Sequence, residues 1–216
     1  MISPAIALTF DDGPDPDGTR AVLDALGERD AKATFFVWGE QAARHPEIVH
    51  QTIRAGHSVQ PHCWSHQSHL DMSASKIRED LDAVVALLRE LGAPCPSLWR
   101  PPWGQVRRDV TRRIASDFGL GLAGWTIDTT DYAGTSADLM FEQVTSTTDS
   151  PDAANAEAVV LMHDSPKEPG QWRERHDVTT TVDLVRQLVS RPGRPFTVLT
   201  HGLETHLDEQ DGRVGP

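Results

Sequence analysis

Two adjacent carboxylates, Asp11 and Asp12 in the stretch Thr9-Phe10-Asp11-Asp12-Gly13-Pro14, end the first apolar run of this 216-residue chain. Neighbouring like charges repel, and a carboxylate beside a buried strand is costly without a cation, an arginine or a proton to compensate it. Candidate partners recur further along. His62 and His66 stand four apart, a spacing that puts both rings on one side of a helical turn and suits two ligands of one metal. That spacing alone is more often incidental, and His66 with His69 is a competing pair. A matching carboxylate changes the balance: Asp12 with His62 and His66 forms a two-histidine, one-carboxylate face with open coordination positions. Zinc is the first choice there, with cobalt, nickel or iron able to occupy the same face. Because successive strand residues point to opposite sides, Asp11 and Asp12 share a site only where the strand has ended, as Gly13-Pro14 implies. Asp12 then binds the metal and Asp11 stays free to accept a proton from water. The bland alternatives are an Asx turn or a calcium loop, the latter disfavoured by interleaved prolines and the lack of a closing Glu.

These residues need a frame. Predicted strands at Ile6 to Phe10, Ala33 to Val37, His57 to Gln60, Leu98 to Arg100, Leu120 to Trp125, Ala158 to Met162 and Phe196 to Leu199 alternate with helices. The helices are expected at Thr19 to Leu26, Glu47 to Ala55, Ser75 to Leu91, Arg108 to Phe118, Ala137 to Thr147 and Thr179 to Val189. About seven such β/α units imply a parallel sheet covered by helices, closed or nearly closed into a barrel. Active groups of a barrel collect where strands end. There the chain places Asp11 and Asp12, His62 to His66, Arg100-Pro101-Pro102-Trp103, Asp128 with Asp131, and His163-Asp164. No glycine-rich phosphate loop follows any strand, which removes the nucleotide readings.

Composition narrows the partners. Net charge is −12, which repels polyanions and argues against nucleic acid or an anionic membrane surface. No segment approaches the roughly 18 apolar residues of a membrane span. Two cysteines, Cys63 and Cys95, make no disulfide framework. Residues 1–216 read as a single domain with a core at about 5–200, a monomer, and cytoplasmic as written, or secreted had a leader been removed.

TFDDGP, H-x-x-x-H, RPPWG, Asp128-x-x-Asp131 and Leu161-Met162-His163-Asp164, in that order, resemble the NodB-like polysaccharide deacetylases, family four of the carbohydrate esterases. The resemblance implies a distorted (β/α)7-type barrel, the NodB homology domain, acting as a metal-dependent hydrolase. It implies Asp11 as general base, Asp12, His62 and His66 as metal ligands, His163 as general acid and Arg100 as the partner of Asp11. Of the two aspartates of the fourth motif, Asp128 is favoured as the group that orients His163, with Asp131 the other possibility. Trp103 resembles the residue whose backbone N–H faces the oxyanion and Leu161 part of the acetyl-methyl pocket, with Pro102 and Tyr132 beside them as substrate-binding positions. The chemistry coheres: amide hydrolysis needs a nucleophile, a sink for oxyanion charge and an acid for the departing amine.

Departures from the family pattern are Cys63 where Ser or Thr is usual, Tyr132 where Trp often stands, and Gln60-Pro61 before His62. Trp38, Trp99 and Trp125 read as packing residues; Trp64 and Trp172 are candidates to stack on a sugar, and the charged loop Pro166 to His176 to close over it. The expected activity is N-deacetylation of a short chitooligosaccharide or other N-acetylglucosamine-containing substrate. A small amino-sugar metabolite, an acetylxylan, a metal-independent ring-opening amidohydrolase and a carbohydrate-binding pseudoenzyme are the alternatives.

Overall fold

The computed structural model describes residues 5–150, 157–166, 177–192 and 195–209. The first half runs β1 (Ile6–Asp11), α1 (Gly18–Gly27), β2 (Thr34–Trp38), α2 (Gly39–Arg44), α3 (Pro46–Arg54), β3 (Ser58–Cys63) and α4 (Ala74–Glu90). Then follow β4 (Leu98–Trp99), β5 (Gln105–Val106), α5 (Arg108–Asp117), β6 (Gly121–Leu122), β7 (Ile127–Asp128) and α6 (Ala137–Asp149). The last elements are β8 (Ala158–His163), α7 (Val178–Ser190), β9 (Phe196–Thr197) and β10 (Asp208–Glu209).

Every residue of β1, β2 and β8 is buried, as near-continuous apolar runs require of strands covered on both faces. They lie at the centre of a parallel sheet ordered β3-β2-β1-β8-β7, with β9 beside the start of β1. In-register pairing sets Asp11 opposite His163 across β1 and β8. The Arg100 N–H donates to the Pro61 carbonyl at 3.4 Å, carrying the curve from β3 to β4, which pairs with β6. The result is the expected α/β architecture, a parallel sheet with helices, flanked by the short pairs β4-β6 and β5-β10.

Helix α4 presents Ile77, Leu81, Val84, Val85 and Leu88 to the core, the stripe its periodicity foretold, and Ser73 caps it by accepting from the Lys76 N–H. Two expectations change. The strand expected over Leu120 to Trp125 is regular only at Gly121–Leu122, because the following residues give their backbone to the C-terminal segment. Ala123 bridges Leu203, Gly124 N–H reaches the Leu203 carbonyl, and Trp125 N–H the Thr205 carbonyl at 3.2 Å. The short α2 had no helical period long enough to read. Among the described residues no helix is long and apolar enough to cross a membrane. Trp172 and most of the charged loop, residues 167–176, lie outside the described residues.

Candidate active site

The sequence posed a geometric problem: two neighbouring aspartates, one site. Strand β1 ends at Asp11, and Asp12 takes φ 78°, in the left-handed region, which turns its side chain back to the side Asp11 faces. The loop is held from behind by Asp164, whose Oδ1 accepts the Gly13 N–H at 3.0 Å and whose Oδ2 accepts the Thr19 hydroxyl at 2.6 Å. A Cβ at Gly13 would lie 2.3 Å from that carboxylate, so glycine is required for the approach. Burial pushes Asp164 up to about 7, against the hydrogen bonds from Thr19 and Gly13.

Arg100, fully buried, donates from Nη1 to Asp11 Oδ1 and to Thr9 Oγ1, both at 2.8 Å. Its Nε reaches the Ala123 carbonyl at 2.9 Å and Nη2 the Gly124 carbonyl at 2.7 Å, while the guanidinium lies 4.2 Å over the Phe36 ring. Burial lowers the guanidinium from its ordinary value and Asp11 opposes that, which leaves a fixed cation beside the base.

On the other side of Asp11 lies a buried cluster of Asp12, His62 and His66, whose ligand atoms lie within 4.8 Å of one another. His62 Nε2 is 3.4 Å and His66 Nε2 3.0 Å from Asp12 Oδ1. His62 Nδ1 lies 2.7 Å from the Arg100 carbonyl, an acceptor, so Nδ1 carries the proton and Nε2 presents a lone pair to the cluster. His66 Nε2 is buried and makes no hydrogen bond among the described residues. A carboxylate and two imidazoles with their donor atoms converged in this way fit a divalent cation. His69 is not part of the cluster: it packs on Trp99 at 5.6 Å, and burial pushes it down to about 4, keeping it neutral. Burial, reinforced by Asp80 and Asp12, raises the Cys63 thiol well above its ordinary value, consistent with a packing role.

His163, at the end of β8, corrects one assignment. Its Nδ1 lies 2.7 Å from Asp131 Oδ1, not from Asp128, and its backbone N–H donates to Asp131 Oδ2 at 2.7 Å. The Thr181 hydroxyl donates to the same Oδ2 at 2.9 Å. The cause is the turn after β7: Thr130 takes φ 52° and carries the fully buried Asp131 beneath the ring. Asp128 stays at the cleft wall, where its Oδ1 accepts the Thr130 N–H at 2.9 Å and its Oδ2 lies 3.5 Å from the Tyr132 hydroxyl. Burial and Asp128 push the Tyr132 phenol up, so it remains a donor. His163 Nε2 looks the other way, 4.0 Å from Asp12 Oδ2.

A cleft of about 220 Å³ joins these groups, lined by Asp11, His62, Trp103, Gly104, Trp125, Asp128, Tyr132, Leu161 and His163. Trp103 is 43% exposed, takes φ 54° and sets its ring edgewise on His66 at 4.5 Å. Pro102 is buried behind it and is not among the lining residues. Trp125, read from sequence as packing, is a cleft wall, admitted by the missing Cβ of Gly104. Trp64 packs on the core and against Gly39 instead of the cleft. Sequence reasoning also missed Asp80 and Thr19, which sit inside helices and have no spacing relation to the residues they hold.

A family model described as polysaccharide deacetylase matches residues 2–123. A chitooligosaccharide deacetylase of Bradyrhizobium sp. (strain ANU 289) is 34% identical over 85% of this chain and 81% of its own length. A peptidoglycan-N-acetylglucosamine deacetylase of Bacillus cereus is 32% identical over 74% of this chain, which spans only 56% of that protein. Among solved structures, a family 4 carbohydrate esterase from Streptomyces lividans in complex with acetate superposes with a TM-score of 0.74 at 25% identity, covering 91% of this chain and 93% of that one.

Proposed function

From the premise that the chain belongs to the polysaccharide deacetylase family, we propose that it removes the N-acetyl group of an acetylated amino sugar, best a short chitooligosaccharide, releasing acetate. One observation carries this reading: Asp11, His62 and His163 line one cleft, with Arg100 paired to Asp11, Asp131 to His163, and the buried Asp12 and His66 clustered with His62. Those three ligands would hold zinc, with cobalt, nickel or iron as substitutes. When bound, such a cation supplies Lewis-acid polarisation of the acyl carbonyl.

Asp11 takes the proton of the attacking water, its carboxylate oriented by Arg100 so that one oxygen is occupied. The Trp103 backbone N–H faces the oxyanion as charge develops. His163 donates from Nε2 to the departing amine, since Nδ1 is committed to Asp131, which stabilises the imidazolium. Leu161 and Tyr132 bound the space for the acetyl methyl, and Trp103 and Trp125 offer apolar faces to the sugar. On this reading residues 1–216 act as one catalytic domain and a monomer suffices.

The name of the Bacillus cereus relative favours a second reading, the N-acetylglucosamine of peptidoglycan, which the net charge of −12 disfavours. The test is acetate release by zinc-reconstituted protein from N-acetylglucosamine, short chitooligosaccharides, peptidoglycan fragments and acetylxylan, each with and without chelator. Chelator-sensitive release from the chitooligosaccharides is expected to exceed the rest. Absence of release from every amino sugar, with zinc stoichiometrically bound, would overturn the deacetylase reading.

A further inference from the structure

Asp80, on the second turn of α4, takes no part in the chemistry above, yet it is only 8% exposed. Its Oδ2 accepts the Trp64 N–H at 2.6 Å, and its Oδ1 accepts both the Ser65 N–H at 3.0 Å and the Ser65 hydroxyl at 2.7 Å. Donors at both oxygens are the pattern of a carboxylate. Cys63, Trp64 and Ser65 are the whole connection between the ligands His62 and His66, and that connection is irregular: His66 takes φ 48°, a conformation that needs support from its surroundings. From the opposite side the loop is pressed by α2. The Glu40 N–H donates to the Trp64 carbonyl at 3.2 Å, and a Cβ at Gly39 would lie 2.6 Å from the Trp64 ring. Position 63 adds only a thiol, a weak hydrogen-bonding group.

We propose that Asp80 is the positioning residue of the metal centre: its carboxylate clamps the Trp64 and Ser65 amides and so presets how far apart His62 and His66 hold their Nε2 atoms. The clamp fixes the loop before any cation arrives, so binding spends little free energy on ordering it. It also places a buried anion behind a loop that is to receive a dication. This rests on the metal-centre reading of Asp12, His62 and His66.

The test is a competition titration of zinc between metal-free protein and a chromophoric chelator, with circular dichroism to establish the fold of each variant. Asp80→Asn, which cannot accept at both oxygens, weakens zinc binding about 10- to 100-fold, the range found when partners of metal ligands are removed. Ser65→Ala, which loses one of the three bonds, weakens it about 3- to 10-fold. Folded Asp80→Asn protein that binds zinc as tightly as wild type would overturn the proposal, even if it melts at a lower temperature, because a residue serving only the fold moves the melting point and not the affinity. Should Asp80→Asn lack native circular dichroism, Ser65→Ala decides alone: weaker binding supports the clamp and unchanged binding overturns it. Wild-type protein that fails to bind zinc overturns the metal centre and the clamp with it, an outcome distinct from one in which only the variants behave like wild type.

Discussion

Asp131 and Asp128 are three residues apart and chemically identical, yet only Asp131 touches the His163 ring. Asp131→Asn replaces an anion with an amide that does not stabilise an imidazolium, so kcat falls by about 100-fold or more and the alkaline limb of the kcat/KM profile moves to lower pH. Asp128→Asn leaves that limb in place and costs less than about 10-fold, chiefly in KM, because Asp128 lines the cleft without holding the acid. pH–rate profiles of both variants on one N-acetylated substrate check the pair, and a moved limb in Asp128→Asn would reverse the assignment. At this scale the sequence disclosed residue types, order and strand-end positions, enough to single out Asp11, Asp12, His62, His66, Arg100 and His163. It could not choose between the two aspartates, because the choice turns on one backbone angle, φ 52° at Thr130, in a β-branched residue that ordinarily avoids that region. The roles of Asp80 and Asp164 were illegible for a different reason: each accepts from backbone N–H groups, which every non-proline residue offers, and from one hydroxyl, Ser65 and Thr19 respectively, at no regular spacing from it.

The elements place these side chains through a few close approaches, and the tightest is the turn that ends β1. Gly13→Ala puts a methyl 2.3 Å from Asp164 Oδ2, so either the carboxylate or the loop must shift. The expected cost is about 1–3 kcal/mol of stability, read as a lower midpoint in denaturant, together with weaker zinc binding because Asp12 is the next residue. A variant with wild-type midpoint and affinity would show that the loop is not held there. The longer elements were legible, α4 and α7 because burial on one face imposes a period on the sequence, β1 and β8 because burial on both faces makes an almost continuous apolar run. The short β6, β7 and α2 were not. Two residues carry no period, and the run from Gly121 to Trp125 reads as one strand until the distant segment around Leu203 takes up its hydrogen bonds.

Taken as a whole, the molecule holds His57 and His69 below the ordinary imidazole range by burying them, and its stability should therefore depend on acid in a calculable direction. His57 is the simpler of the two, since it lies away from the metal ligands. Its Nδ1 accepts the Ala33 N–H at 3.2 Å and its ring meets Phe35 edge-on at 5.4 Å. Burial, and next the nearby Lys32, push it down from 6.5 to about 4, with Asp30 opposing. A protonated ring would lose the acceptor that Ala33 needs. As pH falls through 6.5 the unfolded chain takes up the proton first, so the folded state loses relative stability until about pH 4, where the native ring also protonates. For a shift of this size the loss reaches about 3 kcal/mol at most. His57→Asn keeps an acceptor in the place of Nδ1 and does not titrate. Denaturant midpoints of wild type and variant, both metal-free so that His62 and His66 contribute equally to each, should converge as pH falls from 7 to 4, the variant losing less. Parallel decline of the two curves would mean that His57 is already accessible to protons in the folded state and that the acid sensitivity of the chain originates at other groups, His69 among them.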